Sequence, residues 1–266
     1  MRLEGKKRII DDFWEQLSSS TLYLDETDTL LKIDRDQVER FYQPLAMYLI
    51  TKTAYHQRLM VGVAGPPGCG KTAFTMLLSE VIKAVSDEDI SVVVGLDGWH
   101  FPNAYLATHF IERNGTRVPL KAIKGVPETF NFKAALVCLK AIQKGGEIAF
   151  PVYNRNLHEP VPESGRVSNT HKIVIVEGNF LLLDEFPWDQ FRGLFDIRIF
   201  INAGSEVIEP ALIERHRRGG KAPESIQQHM LEVDLPNARR VLSNFSRADV
   251  IVYKKDPIYI DYIKYV

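Results

Sequence analysis

The chain has 266 residues, of which 45% are hydrophobic, enough for one α/β domain with a substantial core. Its 33 basic side chains nearly balance 34 acidic ones, so no global field points to nucleic acid or an anionic membrane as a partner. Two cysteines, Cys69 and Cys138, leave no disulfide framework, and no run has signal-peptide or membrane-spanning form, so a reducing, cytoplasmic setting is expected.

Residues 1–33 read as a short helix plus an irregular segment that leans on the main domain. From Asp34 to about His56, Val38, Phe41, Tyr42, Leu45, Tyr48 and Leu49 recur at spacings of three and four. That is one face of a helix, with Asp34 as its cap and Pro44 expected to kink or split it. Residues 1–56 are therefore expected to form an N-terminal helical extension packed on a core domain of residues 57–266. Within that domain the expected strands are LMVGVA (59–64), ISVVVGL (90–96), HKIVIVE (171–177), DIRIFINA (196–203) and ADVIVYK (248–254). Most are near-continuous β-branched runs, as in parallel strands buried on both faces. Helical patterns fill 72–86, 130–144, 205–218 and 223–233, and the polar stretch 145–170 reads as a hairpin or long loop over the sheet.

Between the first strand and its helix, GPPGCGKT satisfies G-x-x-x-x-G-K-[ST]. Its glycines let backbone N–H groups converge on an anion, Lys71 reaches β- and γ-phosphates, and Thr72 offers a hydroxyl to Mg²⁺. The nucleotide-binding set is Gly65, Pro66, Pro67, Gly68, Cys69, Gly70, Lys71, Thr72 and Ala73. Cys69 reads as a small residue filling a tight turn. The expected fold class is thus α/β, a P-loop NTPase three-layer α/β/α sandwich with a mostly parallel sheet, plus the helical extension. No N-K-x-D guanine-reading motif occurs.

Two acidic residues end strands on the ligand-binding edge of such a sheet. Asp97, in LDGWHFPN, is placed to take a proton from an attacking hydroxyl, or is simply a turn residue before glycine. Glu177, in IVIVEGN, is placed with Thr72 to position Mg²⁺, or caps its strand. His100 lines an acceptor pocket or decorates its loop. The segment 209–225 carries Arg215, His216, Arg217, Arg218 and Lys221 around Gly219 and Gly220. These are cations that suit a helix C-terminus, and also a lid, near 215–222, that closes on phosphates.

In this order the motifs resemble the phosphoribulokinase, uridine kinase and bacterial pantothenate kinase family, most closely the pantothenate-kinase-like branch of nucleoside and sugar kinase-like proteins. GPPGCGKT resembles its phosphate loop, DGWHFPN its D-G-F-x-x-P-N segment and KGVPETFNF (124–132) its K-G-x-P-E element. PVYNRNLHEP (151–160) resembles P-V-Y-S-H, IVIVEGNFLLL (173–183) the I-L-E-G strand, and QVERFYQPLAMYL (37–49) the V-E-x-x-Y-x-P-L segment. The resemblance implies an ATP- and Mg²⁺-dependent kinase of small metabolites. Asp97 is then the general base, with Lys71, Arg215 and Arg217 catalytic. Arg218 and Asn237 attend the nucleotide, Asn237 near the adenine.

This chain has Asn154 and Arg155 where pantothenate kinases have serine and histidine, and Asn131 where the family has aspartate. Arg155 and His158 instead match an R-x-x-H pattern of sugar or nucleoside kinase-like relatives, which turns the expectation away from pantothenate. The expected acceptor site comprises His100, Asn131, Arg155 and His158, with Asn131 alternatively capping the 130–144 helix. A small-molecule substrate is the expected partner, with no nucleic acid and no membrane, and a homodimer is compatible with the sequence. The competing reading is an ATP-binding regulator with slow hydrolysis and no acceptor, distinguished by whether a polar pocket lies between Asp97, Arg155 and the phosphate loop.

Overall fold

The computed structural model describes residues 34–113 and 115–266, together with Trp14. The expected short helix and irregular segment of residues 1–33 otherwise lie outside the described residues. Helix α1 begins at Arg35, capped by Asp34, whose side chain accepts from the Gln37 N–H at 2.9 Å. Pro44 neither donates a hydrogen bond nor leaves room for the carbonyl one turn back. The helix meets this with a π turn, Val38–Tyr42, ahead of its last segment, Gln43–Lys52.

The central sheet has six strands: β1 (Leu59–Ala64), β2 (Ser91–Gly95), β7 (Ile173–Glu177), β8 (Ile197–Asn202), β9 (Val250–Lys254) and β10 (Ile260–Tyr265). Their order is β10-β9-β8-β1-β7-β2, all parallel except the β9/β10 pair. Five of these strands fall where the hydrophobic runs predict them. The sixth, β10, is an edge strand that alternates Ile260 and Ile263 with exposed residues, and its end is paired by a side chain: Ile260 exchanges two hydrogen bonds with the buried amide of Gln37, at 2.7 and 3.2 Å. Two hairpins complete the strands, β3/β4 (Phe110–Arg113, Thr116–Pro119) and β5/β6 (Ile148–Asn154, Glu159–Val167). The second is the hairpin anticipated in the polar stretch.

Alternate residues of the inner strands feed two cores. Leu59, Val61, Val63, Ile173, Ile175 and Ile199 face α1 and α2 (Lys71–Ser86), meeting Tyr42, Leu45, Phe74 and Leu77. Met60, Val94, Val174, Val176 and Phe200 face α4 (Phe132–Lys144) and an aromatic cluster around Phe180 and Trp188. Burial of both faces explains why these strands carry no polar alternation. Arg58 ties the layers together at the entrance to β1. It is buried, and its guanidinium donates to the carbonyls of Ile142, Gly146, Ser168 and His171 at 2.9 to 3.1 Å.

The register places the functional edge. Glu177 stands opposite Val63 of β1 on one side and Gly95 of β2 on the other. The loop after β1, the turn after β2 and the end of β7 therefore emerge side by side. Beyond this edge lie α3 (Asn103–Thr108), α5 (Ser205–Arg218) and α6, which runs from Pro223 to Leu242 through a π turn at Met230–Asp234. Among the described residues no helix is long and apolar enough to cross a membrane.

Candidate active site

The phosphate loop runs from Gly65 into α2. Gly70, the residue before the helix, has φ +82°, and a Cβ there would stand 1.8 Å from the Pro257 carbonyl oxygen, so only glycine fits. Lys71 is buried and donates from Nζ to the Gly65 and Pro66 carbonyls, both at 3.0 Å. Cys69 is fully buried beneath the loop, and burial pushes its thiol pKa up, which suits a space-filling residue. Thr72 Oγ1 donates to Glu177 Oε1 at 3.0 Å, bringing the first hydroxyl of the helix and the last carboxylate of β7 to one point. Burial raises the Glu177 pKa, against the pull of Lys71.

Asp97 lies in the 3₁₀ turn Leu96–Trp99 that follows β2. Gly98 beside it allows close approach, since a Cβ would come 2.0 Å from the Pro151 carbonyl oxygen of β5. That approach lays the β5/β6 hairpin across the sheet edge and delivers Arg155 to Asp97, Nη2 to Oδ2 at 3.0 Å. Both side chains remain about one third exposed. Burial pushes the Asp97 pKa up, but Arg155, His100, Arg215 and Lys71 outweigh it, so the carboxyl lies below its ordinary value. At 3.0 Å nothing fits between Asp97 and Arg155; a pocket there exists only when the two part.

His100 is buried, stacked on Phe130 with ring centroids 3.8 Å apart, and Nδ1 lies 3.3 Å from the Thr129 carbonyl oxygen. Burial pushes its pKa down to about 4, so it is an uncharged wall at neutral pH. Asn131 caps α4, its side chain accepting from the Ala134 N–H at 3.2 Å. His158 takes φ +52° in the β5/β6 turn, and its carbonyl accepts from Lys124 Nζ at 2.8 Å and Asn103 Nδ2 at 3.0 Å. Lys124, Asn103, Tyr153 and Glu159 are residues that the sequence reading did not single out. Lys124 also donates to Asn103 Oδ1 at 2.8 Å, and Glu159 accepts the Asn103 N–H on both oxygens at 3.0 Å. The Tyr153 ring lies beneath both Lys124 Nζ and the Arg155 guanidinium, 5.0 and 5.3 Å from its centroid.

The arginines of the α5 C-terminus divide. Arg217 and Arg218 pair with Glu214 on the exposed side of their helix, at 3.0 and 2.9 Å. Arg215 lies within electrostatic reach of Asp97 and Arg155, with Nη2 3.7 Å from Asp234 Oδ1. Asp234 is buried in the α6 π turn and holds His216 Nε2 at 2.6 Å, so α5 and α6 are tied beside Arg215. Asn237 donates from Nδ2 to the Gly125 carbonyl at 3.0 Å, which joins α6 to the segment that carries Lys124. Val233 packs in the same small core as Ile123 and Val126.

A phosphate loop opening a helix, a hydroxyl and carboxylate converging at its start, and a second carboxylate on the neighbouring strand end define a P-loop protein with the fold of the P-loop kinases. Residues 60–257 match the phosphoribulokinase / uridine kinase family, and the chain belongs to it. It is 30% identical over 219 residues to the uncharacterised protein YggC of Escherichia coli (strain K12), covering 82% of this chain and 87% of that one. It is 29% identical over 231 residues to a pantothenate kinase of Mycolicibacterium smegmatis, covering 76% and 71% respectively. The fold is similar to that of D-glycerate 3-kinase from Cryptococcus neoformans var. grubii, with a TM-score of 0.61 at 14% identity over 85% of this chain and 99% of that one.

Proposed function

We propose that this protein transfers the γ-phosphate of ATP to a hydroxyl of a small metabolite of the sugar, sugar acid or nucleoside class. The carrying observation is the shared sheet edge: the Thr72–Glu177 contact, Asp97 and Arg215 face one region beside the phosphate loop. Relatives named as kinases of pantothenate and D-glycerate support a small hydroxylated acceptor.

Asp97 accepts the proton of the acceptor hydroxyl as its oxygen attacks phosphorus. Lys71 and Arg215 bring positive charge to the phosphate region, where charge is redistributed in the transition state. Thr72 and Glu177 are hard oxygen donors within 3.0 Å of each other, a fit for Mg²⁺ held directly or through water. When bound, that ion neutralises phosphate charge. The buried, neutral His100 and the Tyr153 ring form apolar walls for the acceptor, with Lys124 and Arg155 as its polar contacts.

ADP release from Mg²⁺-ATP, measured across a panel of sugars, sugar acids and nucleosides, should find an acceptor that accelerates turnover. Asp97→Asn should remove that acceleration while nucleotide still binds. The direct Asp97–Arg155 contact favours a second reading, an ATP-dependent regulator that hydrolyses slowly. A panel in which nothing accelerates turnover would select it.

A further inference from the structure

The contact that fills the expected pocket is itself informative. A guanidinium on a general base occupies one of its acceptor oxygens and stabilises the carboxylate, so it weakens the base for any hydroxyl. Water is the smallest hydroxyl and the most abundant, and a kinase with an exposed base would waste ATP on it. Resting on the kinase reading, we infer that Arg155 is a lock on Asp97: it suppresses attack by water until an acceptor draws the guanidinium away.

The surroundings suit exchange. Arg155 and Asp97 are each about one third exposed, so solvent reaches the pair, and Lys71 and Arg215 still face Asp97 when it opens. Lys124 shares the Tyr153 ring with Arg155, and Arg215 is the other cation facing it; both repel the guanidinium where it rests. An acceptor that offers oxygens to Arg155 therefore competes with the Asp97 carboxylate, and its own hydroxyl takes the vacated place at Asp97. With the lock removed and no acceptor present, a water oxygen forms the new bond to γ-phosphorus. The bond to the β,γ-bridging oxygen breaks, ADP leaves, and Asp97 takes the water proton.

The test needs Mg²⁺-ATP alone as the probe. Acceptor-free ADP release is measured for the full-length wild type, Arg155→Gln, Asp97→Asn and the double variant, with binding of a fluorescent ATP analogue as a parallel readout. Arg155→Gln should release ADP roughly tenfold faster or more, up to the ~10²–10⁴ that a positioned base contributes. Arg155→Lys, which keeps charge but loses the fork, should fall between it and wild type and serves if the glutamine variant fails to fold. The double variant should return to the Asp97→Asn rate. An unchanged or lower rate in both Arg155 variants with normal nucleotide binding overturns the lock and leaves the kinase reading standing. A gain that survives Asp97→Asn also overturns it, because Arg155 would then act elsewhere. Failure of the wild type to bind nucleotide overturns both.

Discussion

Asp97 and Glu177 are two carboxylates at neighbouring strand ends whose environments push them apart, one held below its ordinary pKa by the cations around it and the other raised by burial. A base with a depressed pKa stays deprotonated until pH falls through the lower value. The acid limb of kcat/KM should therefore lie below about pH 4, the usual aspartate value. His100, at about 4, adds no inflection between pH 5 and 8. A pH profile of acceptor-dependent turnover checks this, and an inflection near pH 6 to 7 would count against Asp97 as the base. Asp97, Glu177, Lys71 and Thr72 were legible because each follows a glycine-rich or β-branched signature on the chain itself. Lys124 was not. Its position depends on a carbonyl 34 residues away and an amide 21 residues away, and no local spacing encodes either.

At the scale of elements, the β5/β6 hairpin reaches the site only because Gly98 lets Pro151 come close. Gly98→Ala should push the hairpin off the turn and move Arg155 from Asp97. Displacements of about 1 Å at a catalytic site cost on the order of a hundredfold, so acceptor-dependent transfer should fall roughly tenfold to hundredfold with nucleotide binding retained, while acceptor-free ADP release rises as in Arg155→Gln. Arg58 does comparable work for the fold. Arg58→Ala would leave the carbonyls of Ile142, Gly146, Ser168 and His171 without their cation, and should lower unfolding stability by about 3 kcal/mol in a denaturant titration, with Arg58→Lys recovering part of it. Hydrophobic periodicity read the inner strands and α1 well because both depend on burial along one segment. It missed β10, where one face is solvated, and the α5/α6 tie, where His216 and Asp234 meet across two helices.

For the molecule as a whole, the parallel register brings three separated motifs to one sheet edge, and α6 is linked to the segment that carries Lys124 through Asn237 and the Gly125 carbonyl. Nucleotide bound at such an edge should stabilise the whole domain. At a hundred times its dissociation constant, Mg²⁺-ATP contributes about 2.7 kcal/mol. That corresponds to a rise in Tm of roughly 5–10 °C for a domain of this size, and omission of Mg²⁺ should reduce it. The most direct measurement is the fate of the γ-phosphate: γ-³²P-labelled ATP is incubated with the protein and a panel of hydroxylated metabolites, and products are separated. The kinase account predicts label on one acceptor, in amounts matching the ADP formed, with transfer lost in Asp97→Asn. Label appearing only as inorganic phosphate whatever the acceptor, at a rate that Asp97→Asn does not change, would contradict it.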